Sequence, residues 1–419
     1  MSTDQNQPTE FDAVLGGETP PPLQGAVLGG IEGVKRRLAS STAKFRINAV
    51  NEALQYGEEG LNLVIAALQD ESSQVRLSAY LLLRERTELQ IKQAIKAFKS
   101  WKLPERLEWY SDHHVSKFFN KEVEDFNPQI GLTDSTGIAY AVRCEAWEEN
   151  LEIFKERLES LTQDAQASKL EALVIGMWDE CGDYDSSCVV DALVSAAYKL
   201  KNLKAIFIGD IEFSEWMISS IEQSDISPLL NAYPQLEVIQ IRGASGLRFS
   251  QLYHENLKAI IIESGALARD TIAQICGLQL PALQHLELWL GSYRYGGNST
   301  IDDLMPILEG DLFPSLSYLG LRNSHYSDEI AHAIVNTPII KFINTLDLAM
   351  GTLSDEGAEA LLNSSEINEL DILNVHDNYL SDEMIQRLSQ LNCQLINHNQ
   401  KEEEADEDPQ FRRYCSIAE

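Results

Sequence analysis

Eight six-residue segments of this chain share one pattern, an aliphatic residue in the first, fourth and sixth places. They are 170–175 (LEALVI), 203–208 (LKAIFI), 236–241 (LEVIQI), 257–262 (LKAIII), 283–288 (LQHLEL), 316–321 (LSYLGL), 343–348 (INTLDL) and 370–375 (LDILNV). The fourth-place residues are 173, 206, 239, 260, 286, 319, 346 and 373, so successive gaps are 33, 33, 21, 26, 33, 27 and 27. Self-similarity at this spacing marks a stacked architecture. A single short strand with its following helix cannot bury its own leucines, whereas a stack of such units can. Side chains alternate along a strand, so the fourth and sixth places point into the stack and their neighbours point away. Each buried Leu or Ile is worth about 1.5–3 kcal/mol, less the entropy of ordering it.

The period and pattern are those of leucine-rich repeats. They predict an α/β solenoid, with a parallel sheet on its concave face and helices outside. Ser-Asp-Glu recurs at 327–329, 354–356 and 381–383, again 27 apart. Each serine is expected to cap a helix, with two carboxylates at the positive end of its dipole. Pro234, Pro281 and Pro314 stand two residues before the first leucine of a strand, where they stop the preceding helix. The glycine-rich stretch 291–298 (GSYRYGGN) follows one strand. It has neither the G-x-G-x-x-G nor the G-K-[S/T] of a phosphate site, so it reads as an aromatic-rich loop.

A second repeat precedes the solenoid. FRINAV (45–50) matches VRLSAY (75–80) at an offset of 30, and Leu38 matches Leu68. Apolar residues at helical spacing, such as Leu61, Val64, Ile65 and Leu68, predict a small all-α module of antiparallel helix pairs. Ala39-Ser40-Ser41 and 69–72 are its polar breaks, and Gly57 and Gly60 its turn. The expected organisation is a flexible lead-in (1–25), the helical module (26–100), a junction and solenoid cap (101–165), the leucine-rich repeats (166–398) and an acidic tail (399–419). Within the junction, 137–147 alternates like a strand and 148–161 like an amphipathic helix. The tail, with KEEEADEDPQ from Lys401, has the composition of a disordered segment.

The formal charge of −32 repels phosphate backbones and anionic lipid surfaces. Nucleic acid and membrane are therefore not expected partners, and a protein with a basic surface is. Six scattered cysteines make no disulfide framework and suggest a reducing compartment. The first residues lack the features of a signal peptide, and no apolar run reaches bilayer length. A cytoplasmic protein is expected.

Register places a candidate recognition surface on the concave face. Its members are Phe207, Arg242, His285, Glu287, Trp289, Tyr318, Arg322, Asp347 and His376, with Tyr293 and Tyr295 on the adjoining loop. Trp, Tyr and Arg dominate binding hot spots. No catalytic set assembles: there is no H-E-x-x-H and no G-x-S-x-G. Cys181-x6-Cys188 among the acidic residues 179–188 is not a zinc spacing. No cofactor, metal or small-molecule substrate is expected.

The runs 173–180 (LVIGMWDE), 221–230 (IEQSDISPLL), 285–291 (HLELWLG), 318–324 (YLGLRNS), 351–362 (GTLSDEGAEALL) and 413–419 (RYCSIAE) resemble a family of bacterial leucine-rich-repeat proteins of the ribonuclease-inhibitor-like type. The resemblance spans residue 138 to the last residue and implies the fold, not an activity. The segments DAVLGGETPPPLQGAVLGGIEGVKRRLAS and ALQDESSQVRLSAYLLLRERTE resemble HEAT-like modules attached to cyanobacterial proteins, which implies an adaptor. These readings lead to a non-enzymatic protein-interaction scaffold. Two alternatives follow from resemblance alone: a factor related to bilin lyases, acting through the helical module, and a GTPase regulator.

Overall fold

The computed structural model describes residues 30–98, 113–144, 151–178, 184–405 and 412–417. The proposed lead-in and the acidic residues 179–183 lie outside these. The chain divides into two compact units, Met1–Ser100 and Trp101–Glu419.

The first unit holds helices α1 (Ile31–Leu38), α2 (Ala43–Ala53), α3 (Gly57–Ala67), α4 (Ser73–Leu83) and α5 (Leu89–Phe98). The two matching hexapeptides fall on α2 and α4, which pack together. Val50, Val64, Leu68, Val75, Leu83 and Ile91 form the core between the helices. Arg46 on α2 reaches Asp70 in the α3–α4 turn through two parallel bonds, of 3.0 and 2.9 Å. This fork suits the planar guanidinium and fixes the pairing of the repeats. Gly57 opens α3 at φ 64°, but Gly60 lies inside that helix rather than in a turn. A Cβ there would sit 1.7 Å from the Ala53 carbonyl oxygen.

The second unit is built on one twelve-stranded sheet whose spatial order follows the sequence. The strands are β1 (Lys117–Phe118), β2 (Lys121–Asp125), β3 (Ile138–Val142), β4 (Ala172–Ile175), β5 (Ala205–Ile208), β6 (Val238–Arg242), β7 (Ala259–Glu263), β8 (His285–Gly291), β9 (Tyr318–Ser324), β10 (Thr345–Asp347), β11 (Ile372–Asn374) and β12 (Gln394–Ile396). Only β1 and β2 pair antiparallel. Every fourth-place residue of the eight segments lies beside the next: Leu173, Ile206, Ile239, Ile260, Leu286, Leu319, Leu346 and Leu373. Tyr140 extends this ladder upstream and Leu395 downstream. The sheet therefore begins within the segment read as a junction and runs one strand beyond the last recognised repeat.

Helices α6 (Leu151–Gln163), α7 (Ser187–Ala196), α8 (Ser227–Ala232), α9 (Arg269–Cys276), α10 (Ile301–Leu308), α11 (Ser327–Val335), α12 (Asp355–Leu362) and α13 (Asp382–Leu388) follow in the connections. The first-, fourth- and sixth-place residues share one core with their apolar faces. Ser354 and Ser381 cap α12 and α13 through their side chains. Ser327 does not cap α11; it is buried, and its hydroxyl donates to the Ser324 carbonyl at 2.8 Å. The aspartates of the motif do more than face a dipole. Asp328 accepts from the backbone and hydroxyl of Ser354, and Asp355 from those of Ser381. The 27-residue spacing thus ties each repeat to the next.

No helix among the described residues is long and apolar enough to cross a membrane. Cys144, Cys188, Cys276, Cys393 and Cys415 are free thiols.

Candidate functional site

Along β8 to β11 most positions between the ladder residues are polar or aromatic, Gly320 and Ile372 excepted, and Glu287 and Asp347 join several of them in one network. Glu287 is its centre. Its carboxylate accepts from Trp289 Nε1 at 2.8 Å, from Arg322 at 3.4 Å and from the Tyr318 hydroxyl at 3.4 Å, and pairs with His285 Nε2 at 3.2 Å. Asp347 is the second anion. It accepts from Tyr318 at 2.7 Å and from the Asn374 amide at 2.9 Å, and lies 3.7 Å from Arg322 Nε. The Tyr318 and His285 rings stack 3.8 Å apart. Arg322 also lies over Trp289 and touches the Met350 sulfur at 3.0 Å. Burial, and then the two nearby carboxylates, push the Tyr318 hydroxyl well above its usual pKa, so it stays a donor.

Register located these side chains correctly but not their exposure. Phe207, Arg242, His285, Glu287, Trp289, Arg322, Asp347 and His376 are each at most 3 % exposed. They form no open face. Neighbouring strands stand about 4.8 Å apart, so large side chains on the inner face close over one another. Phe207 packs with Phe118, Val238 and Ile261, and Val115 and Val123 adjoin them. Arg242 donates to Glu263 at 2.7 Å and to the Ile211 carbonyl at 2.9 Å. Tyr318 is partly buried, and of the candidates only Tyr293 and Tyr295 are exposed.

Those two tyrosines stand on a short 3-10 turn in the glycine-rich loop. Gly291 before it has φ 71°, and a Cβ there would meet the Gly265 carbonyl oxygen at 1.9 Å. The glycine serves a close backbone approach, not a phosphate.

The segment 412–417, part of the stretch read from sequence as an acidic tail, lies across the loops that follow β8 to β11. Cys415 is buried beside the Gly291 carbonyl. Ile417 packs on Trp289, Ala349 and Met350. Arg413 donates to Asp328 at 2.9 Å and to the Thr352 carbonyl at 2.7 Å. Sequence reasoning also passed over a recurrent backbone feature, two of whose members, Asn323 and Met350, bond to this segment. Asn323, Met350 and Asp377 stand 27 apart with φ of 52°, 68° and 55°. Asn and Asp tolerate that region; Met seldom occupies it.

His376 shows what burial does here. Its Nδ1 lies 2.9 Å from Asn374 Oδ1, its ring stacks on His398, and its Nε2 has no hydrogen-bond partner. Desolvation and then Arg322 lower its pKa to about 4, against the opposing pull of Asp347 and Asp377. The unfolded chain binds this proton below about pH 6.5 and the folded chain resists it. Its contribution, on the order of 3 kcal/mol at most, is complete above pH 6.5 and lost as pH falls toward 4. In His376→Asn, urea midpoints measured from pH 7 to pH 4 should fall less steeply than in the wild type.

Among solved structures, the chain is similar to the crystal structure of a Bacteroides fragilis protein from a structural genomics effort. Identity is 29%, the match covers 64% of this chain and 76% of that one, and the TM-score is 0.57. An internalin from Listeria monocytogenes matches at 15% identity over 58% of this chain and 56% of its own, with a TM-score of 0.32, too slight a likeness to carry an argument. No family model and no curated protein matches the chain. The fold of the second unit is that of a leucine-rich-repeat solenoid.

Proposed function

We propose that this protein is a non-enzymatic interaction scaffold, and that it holds a protein partner at the loop rim beside β8 to β11. The observation that carries this reading is the contrast between the two candidate surfaces. The polar groups on the inner strand face are buried and bonded to one another, whereas Tyr293 and Tyr295 are 45 % and 37 % exposed on the adjoining loop. Exposed aromatic side chains of this kind anchor partners at low entropic cost. The charge of −32 favours a partner with a basic surface. Free thiols fit a reducing compartment, so the partner would be cytoplasmic. The five-helix unit, with its HEAT-like repeat, would serve as a second adaptor.

The test is quantitative affinity capture followed by mass spectrometry. The wild type is expected to retain a discrete protein. Tyr293→Ala with Tyr295→Ala should weaken retention about tenfold or more, in line with two hot-spot truncations, without lowering the thermal midpoint. Equal retention by both proteins would remove the rim from consideration.

A further inference from the structure

The segment 412–417 is held as a bound peptide is held. Two side chains grip its backbone, each through a donor and an acceptor. Asn323 accepts from the Ile417 amide at 2.9 Å and donates to the Ile417 carbonyl at 2.5 Å. The Tyr379 hydroxyl accepts from the Tyr414 amide at 2.8 Å and donates to its carbonyl at 3.3 Å. The Met350 carbonyl takes the Ser416 amide at 2.9 Å. Lys401 adds bonds to the Tyr414 carbonyl and the Ser416 hydroxyl. Paired contacts to a main chain are indifferent to sequence; selectivity comes from what its side chains meet. Here Arg413 meets Asp328, Tyr414 lies under the Arg294 guanidinium, and Ile417 rests on Trp289 and Met350.

The same features make the segment displaceable. It forms no helix and no strand, and of its six described residues only Cys415 is buried. Met350 keeps its left-handed conformation where its carbonyl meets this segment, and backbone strain of this kind gathers at binding sites.

We propose that the track formed by Asp328, Asn323, Met350 and Tyr379 is a peptide-recognition site, occupied in cis by residues 412–417 as a pseudo-ligand. The partner supplies an extended segment of the same chemistry: a basic residue, an aromatic residue next to it, and an aliphatic residue three places on. This rests on the scaffold reading and deepens it. A tethered segment competes at an effective concentration near the millimolar range, so the partner gains access only by displacing it.

The probe is a fluorescein-labelled peptide of residues 412–417 carrying Cys415→Ser, with binding read by anisotropy on the full chain. Arg413→Glu with Ile417→Asp loosens the tethered copy while leaving the track intact. This variant should bind the peptide about tenfold or more tighter than the wild type, because the tethered competitor is weakened. Adding Tyr379→Phe should cost at least about fivefold of that gain, since it removes both bonds to the peptide backbone. Equal binding by wild type and variant overturns the proposal. Should the variant fail to fold, the wild type itself serves. Excess peptide should speed alkylation of the buried Cys415, read at that residue by mass spectrometry, and a scrambled peptide should not. An unchanged rate overturns the proposal. So does a concentration-dependent wild-type dimer, which would assign the track to a second copy's segment. If the loosened variant captures the same protein no better than the wild type does, the pseudo-ligand falls while the scaffold reading stands.

Discussion

Leu319→Asp is expected to destabilise the second unit more than any change on its polar inner face. Leu319 has no solvent exposure and lies between Leu286 and Leu346 in the ladder. Truncating such a leucine to alanine costs about 2–5 kcal/mol. Aspartate adds the desolvation of a carboxylate with no cation in the apolar stack, so the total should exceed about 5 kcal/mol. In a solenoid each unit touches only its neighbours. The loss should therefore concentrate in the rungs from β8 to β12, with faster amide hydrogen exchange there than in β4 to β6. Urea unfolding followed by circular dichroism checks the magnitude. An unchanged midpoint would mean that the aliphatic ladder does not hold the second unit together.

The ladder was legible because its signal is internal to each segment. Three aliphatic places in six residues fix the inward face of a strand, whichever rung comes next. Exposure is another kind of property, since it depends on what is packed above. Nothing local to Phe207 announces that Phe118 lies over it, 89 residues earlier in the chain, nor that Glu287 will be closed in by Tyr318 and Arg322 from the next strand. β1 has only two residues, too few for an alternation to show. The segment 412–417 was hidden for a related reason. An acidic run before it sets the local composition, while its own anchors are single residues paired across long distances, such as Ile417 with Asn323, 94 residues apart. The recurrence of Asn323, Met350 and Asp377 at 27-residue spacing was visible. Its meaning, a left-handed residue at or just past the end of β9, β10 and β11, was not, because methionine gives no hint of it.

Glu287→Leu should follow Leu319→Asp in cost, and its pairing with a change at Arg322 separates two accounts of the network. Glu287 accepts from Trp289, Tyr318 and Arg322 and pairs with His285, all on the buried inner face. Removing one partner of a buried ion pair costs about 3–5 kcal/mol, chiefly because the other charge is stranded. Asp347 remains 3.7 Å from Arg322 Nε, so the loss should fall near the lower end, about 3 kcal/mol. Arg322→Met alone strands two carboxylates and should cost at least as much. The double variant Glu287→Leu with Arg322→Met replaces the pair by apolar groups of similar volume, and such replacements are often close to neutral. Its loss should fall well below the sum of the single losses, giving a coupling energy of about 2 kcal/mol or more. Chemical unfolding of the four proteins at pH 7 supplies the cycle. Strictly additive losses would mean that the two residues act separately, and that the network does not join β8 to β9 through its charges.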